Sequence, residues 1–78
     1  MHAQPFHPSP GPNPATHQIT FSHDGVLDFV IYDTTGKIIK QGVLQKNLLL
    51  SDMHSGFYFI RISKPNSGIF QLSKLIKQ

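Results

Sequence analysis

The segment from Ser51 to Ile62 reads Ser-Asp-Met-His-Ser-Gly-Phe-Tyr-Phe-Ile-Arg-Ile, a polar turn and a glycine followed by a run of strand-forming residues. Aromatic and β-branched side chains suit the pleated surface of a sheet. Because side chains alternate along a strand, one face carries Tyr58, Ile60 and Ile62 and the other carries Phe57, Phe59 and Arg61. Apolar residues on both faces predict a central strand that is covered on both sides.

The composition indicates one small domain of short strands. The chain has 78 residues, with six Gly, six Pro and no Glu, which favours turns and strands over helices. The absence of cysteine excludes disulfides and thiol chemistry. No apolar run approaches the ~20 residues of a membrane span. The N-terminus also lacks the basic and apolar regions of a secretory signal peptide.

Apolar alternation predicts six strands with turns between them, at residues 17–22, 26–32, 37–43, 48–50, 57–62 and 69–77. In the first two strands the inward residues are Ile19, Phe21, Leu27, Phe29 and Ile31. Ile38 and Ile39 point to opposite faces, which again indicates a covered sheet. In the last strand Phe70, Leu72 and Ile76 share one face and Leu75 takes the other. Six strands without a helical window predict an all-β sandwich or barrel.

Three turns have specific signals. Residues 33–36 end in Gly36, which predicts a hairpin with a glycine in the left-handed conformation. Met53 is expected to fill the core from the turn before Gly56. His23, Asp24 and Gly25 form a further predicted turn.

The residue types of two kinds of chemical site are present, but their spacing does not favour either. The five histidines, which are His2, His7, His17, His23 and His54, lack the paired spacing of structural zinc ligands. Ser51, Asp52 and His54 are the residue types of a catalytic triad, yet they lie in one turn and cannot line up as one. Ser51 or Asp52 is expected to bond backbone N–H groups of the turn. We therefore predict no metal, no cofactor and no catalytic residue.

The basic residues give the chain a formal net charge of +3. They are Lys37, Lys40, Lys46, Arg61, Lys64, Lys74 and Lys77. Small β-barrels bind RNA with aromatic residues that stack on bases. Here Phe57, Tyr58 and Phe59 are expected to lie in the core, and exposed lysines also protect sheet edges from aggregation. Nucleic acid is therefore not the predicted partner.

Four segments, in this order, resemble the motifs of the type A C-terminal sorting domain of the type IX secretion system. They are Pro12-Asn13-Pro14-Ala15-Thr16, residues 31–37, residues 48–58 and residues 74–77. The motif residues are Pro12, Asn13, Pro14, Ile31, Tyr32, Asp33, Gly36, Gly56 and Tyr58. Gly11 stands where an aromatic residue often precedes the first motif.

The resemblance implies a sorting signal and not an enzyme. The implied fold is an immunoglobulin-like antiparallel β-sandwich of six or seven strands over residues 12–78, preceded by a flexible proline-rich linker at residues 1–11. Its partners would be the outer-membrane translocon, a sortase-like protease that cuts in the linker, and an N-terminal cargo protein that this chain does not contain. The domain would pass through the periplasm to the cell surface or the extracellular space.

The last five residues, Lys74, Leu75, Ile76, Lys77 and Gln78, are the candidates that the resemblance implies for translocon recognition. They could equally be the solubilised end of the last strand, and both roles are compatible. The alternative function is an immunoglobulin-like accessory module that binds carbohydrate or a partner protein at the cell surface. Exposed aromatic residues on a flat face would favour that alternative.

Overall fold

The computed structural model describes residues 10–11, 17–21 and 25–78, and every regular element within them is a β-strand. The strands are β1 (Pro10–Gly11), β2 (Gln18–Phe21), β3 (Val26–Asp33), β4 (Ile38–Gln45), β5 (Asn47–Leu49), β6 (Gly56–Ser63) and β7 (Phe70–Lys77). The sequence predicted the last six. The additional strand, β1, pairs with β2 and lies within the predicted linker, just before the first family motif.

The strands are hydrogen-bonded in the order β1-β2-β5-β4-β3-β6-β7, and every pair is antiparallel. β4 and β5 meet at one residue pair only, Gln45 with Asn47, on either side of Lys46, which has a φ of 76°. At this corner the chain passes from a layer of β3, β4, β6 and β7 to a layer of β1, β2 and β5. The result is the predicted all-β, sandwich-like fold, consistent with an immunoglobulin-like architecture.

One hydrophobic core joins the two layers. It consists of Ile19, Phe21, Leu27, Phe29, Ile31, Leu44, Leu48, Leu50, Met53, Tyr58, Ile60, Ile62 and Leu75. The predicted inward residues of β2 and β3 are all among them, as is Met53 from its turn. Burial of each aliphatic side chain contributes about 1.5–3 kcal/mol to the free energy of folding, relative to leaving it exposed. This cluster therefore supplies most of the stabilisation that comes from burying apolar surface.

The prediction that β6 is covered on both sides is wrong. Phe57 and Phe59 keep 58% and 40% of their surface exposed, whereas Tyr58, Ile60 and Ile62 are buried. The layer of β1, β2 and β5 covers only one face of the other layer, and none of the described residues covers the second face.

A related expectation fails for the same reason. Ile38 and Ile39 are both exposed, so they do not indicate a covered sheet. In β7, the residue that enters the core is Leu75, at 1% exposure, while Phe70 and Leu72 lie on the uncovered side. The alternation of β7 is as the sequence predicts, but its more apolar face is the exposed one.

The hairpin between β3 and β4 has the predicted geometry. The Gly36 N–H donates to the carbonyl of Asp33 at 3.0 Å, and the Asp33 N–H donates to the carbonyl of Lys37 at 2.9 Å. Gly36 has a φ of 91°, which glycine adopts at little cost. The predicted turn at residues 23–25 lies mostly outside the described residues.

Candidate docking surface

The exposed side of the β3-β4-β6-β7 layer is a face rich in aromatic and aliphatic residues, which we call the outer face. It carries Tyr32, Ile38, Phe57, Phe59, Arg61, Phe70, Leu72 and Lys74. The register sets Phe59 between Tyr32 and Lys74, and sets Arg61 beside Leu72. Isolated exposed apolar residues are ordinary, but contiguous apolar patches usually mark interaction sites.

Two cations on the outer face lie over aromatic rings. The guanidinium carbon of Arg61 lies 5.4 Å from the centre of the Phe70 ring, and Lys74 Nζ lies 5.4 Å from the centre of the Phe57 ring. Such contacts contribute about 0.5–1 kcal/mol at exposed sites. The outer face is therefore aromatic, and two of its cations lie over the rings.

A groove of about 480 Å³ crosses the outer face from the β3–β4 turn to β7. It is lined by Tyr32, Asp33, Thr34, Thr35, Gly36, Phe59, Arg61, Phe70 and Leu72. Its volume falls within the range of ~300–1,000 Å³ that is typical of ligand sites. The groove therefore has apolar walls from β3, β6 and β7 and a polar end at the turn.

At the polar end, one oxygen of Asp33 organises the turn. Its Oδ1 accepts hydrogen bonds from the Thr35 N–H at 2.9 Å, the Thr35 hydroxyl at 2.6 Å and the Lys37 N–H at 2.9 Å. The bond from the Thr35 hydroxyl, followed by that from the Lys37 N–H, lowers the pKa of the Asp33 carboxyl group. Asp33 is therefore an ionised cap for the turn, and this oxygen is already occupied.

Among the described residues, β7 is the last strand in the order of the sheet and lies next to β6. An edge strand presents backbone N–H and C=O groups that another chain can pair with. The predicted recognition residues lie here and differ in exposure: Lys74 is on the outer face, Leu75 is in the core, and Gln78 is exposed. Lys77 Nζ donates to the carbonyl of Gln78 at 2.8 Å.

A family model described as the secretion system C-terminal sorting domain matches residues 12–78, nearly the whole chain. The chain belongs to this family. The match confirms the resemblance that the four ordered motifs indicated. No curated protein and no solved structure matches the chain significantly.

Membership of the sorting-domain family gives the chain a general role. It is a C-terminal sorting signal of the type IX secretion system, and such a signal implies interaction with that secretion machinery. It also implies export to the cell surface or the extracellular space. The family is not an enzyme family.

The sorting-domain motif residues that the structure describes have positions in turns and core. Ile31 is fully buried in β3, and Gly56, with a φ of 154°, begins β6. Tyr58 is buried, and its hydroxyl donates to the carbonyl of His54 at 2.7 Å. This bond resembles the tyrosine corner of immunoglobulin-like sandwiches. The motif residues Pro12, Asn13 and Pro14 lie outside the described residues.

The residues considered for catalysis have structural partners. Asp52 pairs with Lys40 Nζ at 3.0 Å, and that hydrogen bond lowers the pKa of the Asp52 carboxyl group. Lys40 Nζ also donates to the carbonyl of Leu49 at 3.0 Å. Asp52 thus links its turn to β4.

The described residues contain neither a metal-binding cluster nor a membrane-spanning helix. No group of three or more His, Cys, Asp or Glu side chains there is arranged to hold a metal ion. His2, His7 and His23 lie outside the described residues. In the same part of the chain, no helix has the length and hydropathy needed to cross a bilayer.

The sequence did not lead us to assign Arg61 or Phe70 to a binding surface. It predicted that Phe57 and Phe59 lie in the core. The available signal was the charge on Arg61, which shares its face of β6 with both of those aromatic residues. A charged residue within an alternating set usually indicates the solvent face. Phe57 and Phe59 are therefore accessible to a ligand, and the prediction that they are buried is wrong.

Proposed function

We propose that this chain is the folded signal by which the type IX secretion machinery selects an attached cargo protein for passage from the periplasm across the outer membrane. The observation that carries the proposal is the family match over residues 12–78. The translocon would dock on β7, the last strand in the order of the described sheet, with Lys74 and Lys77 near its end. The sortase-like protease would cut within residues 1–11, between the cargo and the domain.

The geometry of β7 supports docking in two ways. Among the described residues β7 is the last strand of the sheet, and addition of a strand to a sheet edge is a common mode of peptide recognition. Leu75 is buried against the core, which fixes the position of the lysines around it. Lys74, Leu75, Ile76, Lys77 and Gln78 are thus proposed as one recognition segment, anchored by its second residue.

The test is a secretion assay in a bacterium with a functional type IX system. A periplasmic reporter is fused before residues 1–78, and its distribution is compared between periplasm, cell surface and medium. We expect export of the reporter by the original domain and periplasmic retention with Lys74→Glu/Lys77→Glu. The matched control is Lys37→Glu/Lys64→Glu, which changes the same charge on exposed lysines away from β7 and should leave export unchanged.

A reporter that stays in the periplasm behind the original domain would overturn the sorting function itself. Equal export of both double variants would overturn only the assignment of β7. Export that persists in a strain without the outer-membrane translocon would count against that partner.

A second candidate function has one specific observation in its favour. The alternative of a cell-surface accessory module predicted exposed aromatics on a flat face, and Phe57, Phe59 and Phe70 have that arrangement. Binding of the isolated domain to a glycan array, unaffected by Lys74→Glu/Lys77→Glu, would favour this module over the sorting signal.

A further inference from the structure

The groove on the outer face is separate from the recognition segment at the end of β7. Of the residues that line it, none belongs to residues 74–78. Its walls come from Tyr32, Phe59, Phe70 and Leu72, and Arg61 lies between them. The sorting function does not account for these exposed side chains.

The polar groups of the groove define the chemistry of its ligand. Asp33 Oδ1 already accepts three hydrogen bonds, and the Thr35 hydroxyl is committed as one of their donors. A sugar needs many free donors and acceptors, and this lining offers few. Arg61 differs, because no carboxylate among the described residues pairs with it. Away from the ionised Asp33, the part of the groove at Arg61 therefore suits an apolar ligand with a negative group.

The position of Arg61 suits a carboxylate in particular. Its guanidinium lies over the Phe70 ring, so stacking restrains it without occupying its N–H donors. The planar fork of a guanidinium can bond both oxygens of a carboxylate. Lys74, over Phe57, adds a second positive charge on the same face.

The extent of the outer face favours a protein segment over a small molecule. Ile38, Val43 and Phe57 are exposed beyond the groove lining. A small ligand in the groove would leave them in water, whereas a peptide that crosses the strands would cover part of them. Patches of this kind usually mark protein–protein contacts.

We propose that the groove binds an extended acidic peptide segment of a partner protein, with its apolar side chains against Phe59, Phe70 and Leu72 and a carboxylate on Arg61. This inference does not rest on translocon recognition, since the proposed contacts with Phe59, Phe70, Leu72 and Arg61 all lie outside residues 74–78. The complex would be salt-sensitive, because the pair with Arg61 forms at a partly solvated surface.

The probe is the fluorescein-labelled, C-amidated peptide Gly-Leu-Glu-Leu-Glu-Leu-Gly, measured by fluorescence anisotropy against the full chain. We expect saturable binding, weakened about tenfold by Arg61→Gln, which is the loss typical of a hydrogen bond to a charged group. Lys64→Gln, a matched change at an exposed lysine outside the groove, should leave the affinity unchanged. A peptide with Gln in place of Glu should bind the original chain and Arg61→Gln equally.

A charge exchange makes the test independent of damage to the fold. Arg61→Glu should lose the Glu peptide and gain affinity for the same peptide with Lys in place of Glu. Amide chemical shift changes on titration should cluster at residues 32–36, 59–61 and 70–72.

Four binding results would overturn the proposal. They are binding that is insensitive to Arg61, shift changes confined to β7 beyond residue 73, saturable binding of a neutral oligosaccharide in the groove, and salt-dependent binding of single-stranded RNA that competes with the peptide. A dimer in sedimentation equilibrium that Arg61→Glu disrupts would also overturn it, since a second copy would then cover the face.

Discussion

At the scale of single residues, Tyr58 connects the core to the turn before β6. Its ring is buried, and its hydroxyl bonds the carbonyl of His54, four residues earlier. Tyr58→Phe keeps the ring but removes this bond, so we expect a loss of about 1 kcal/mol in the free energy of unfolding. Urea denaturation measures the loss. Tyr32→Phe, at a half-buried tyrosine of the outer face, serves as the control and should cost less.

Gly56 precedes that tyrosine by two residues and has a φ of 154°. A Cβ added there would lie 3.9 Å from Tyr58 Cε1, so the expected cost of a larger residue comes from the backbone and not from a clash. Gly56→Val should destabilise the fold by about 1–3 kcal/mol. A thermal melt with an unchanged midpoint would contradict this expectation.

Asp33 gives the hairpin a dependence on pH. The hydrogen bond from the Thr35 hydroxyl and then that from the Lys37 N–H lower the pKa of this carboxyl in the folded chain. A lowered folded pKa means that the stabilisation is complete above the unfolded value, about 4, and is lost as the pH falls through the folded value. We expect Asp33→Asn to melt below the original chain at pH 6 and to approach it near pH 3. A constant difference in melting temperature between these pH values would show that ionisation of Asp33 is irrelevant.

At the scale of elements, the corner between β4 and β5 is the least regular connection. Lys46 has a φ of 76°, in the left-handed region, and its carbonyl accepts from the N–H of Phe21 at 2.7 Å. Left-handed backbone costs a non-glycine residue about 1–2 kcal/mol, and the greater freedom of glycine when unfolded offsets part of that. Lys46→Gly should therefore raise the unfolding free energy by roughly 0.5–1 kcal/mol. Lower stability would mean that the Lys46 side chain contributes more than its backbone costs.

The individual strands could be predicted from alternation because each has one buried face. Leu27, Phe29 and Ile31 of β3 show this, as do Ile19 and Phe21 of β2. The hairpin could be predicted because Gly36 supplies its left-handed position. The strand β1 has only two residues, too few for any periodic signal, and it exists by pairing with β2.

The exposed face could not be predicted from alternation alone. Phe57 and Phe59 are chemically suited to a core, and only the arrangement of the layers decides that they face solvent. The groove also depends on how the strands are arranged. It joins the turn after β3 to Phe70 of β7, far apart in sequence, through the pairing of both strands with β6. Local patterns contain no information on that pairing.

At the scale of the whole molecule, stability depends on the core between the two layers and little on the outer face. This predicts opposite responses at neighbouring positions of β6. Ile60→Val removes a methylene from a fully buried side chain and should cost about 1 kcal/mol. Phe59→Leu changes an exposed side chain and should stay within about 0.5 kcal/mol. Equal losses in chemical denaturation would mean that the outer face is covered in solution.

With β7 as the proposed recognition segment, the burial of Leu75 would make recognition by the secretion machinery depend on folding. This side chain is inserted among residues of both layers, and its neighbours Lys74 and Ile76 are aligned by the same pairing with β6. A chain that has not closed its core cannot hold these neighbours in register. A receptor that binds this strand would therefore bind only the fully folded domain. Cargo whose signal had not finished folding would not be exported.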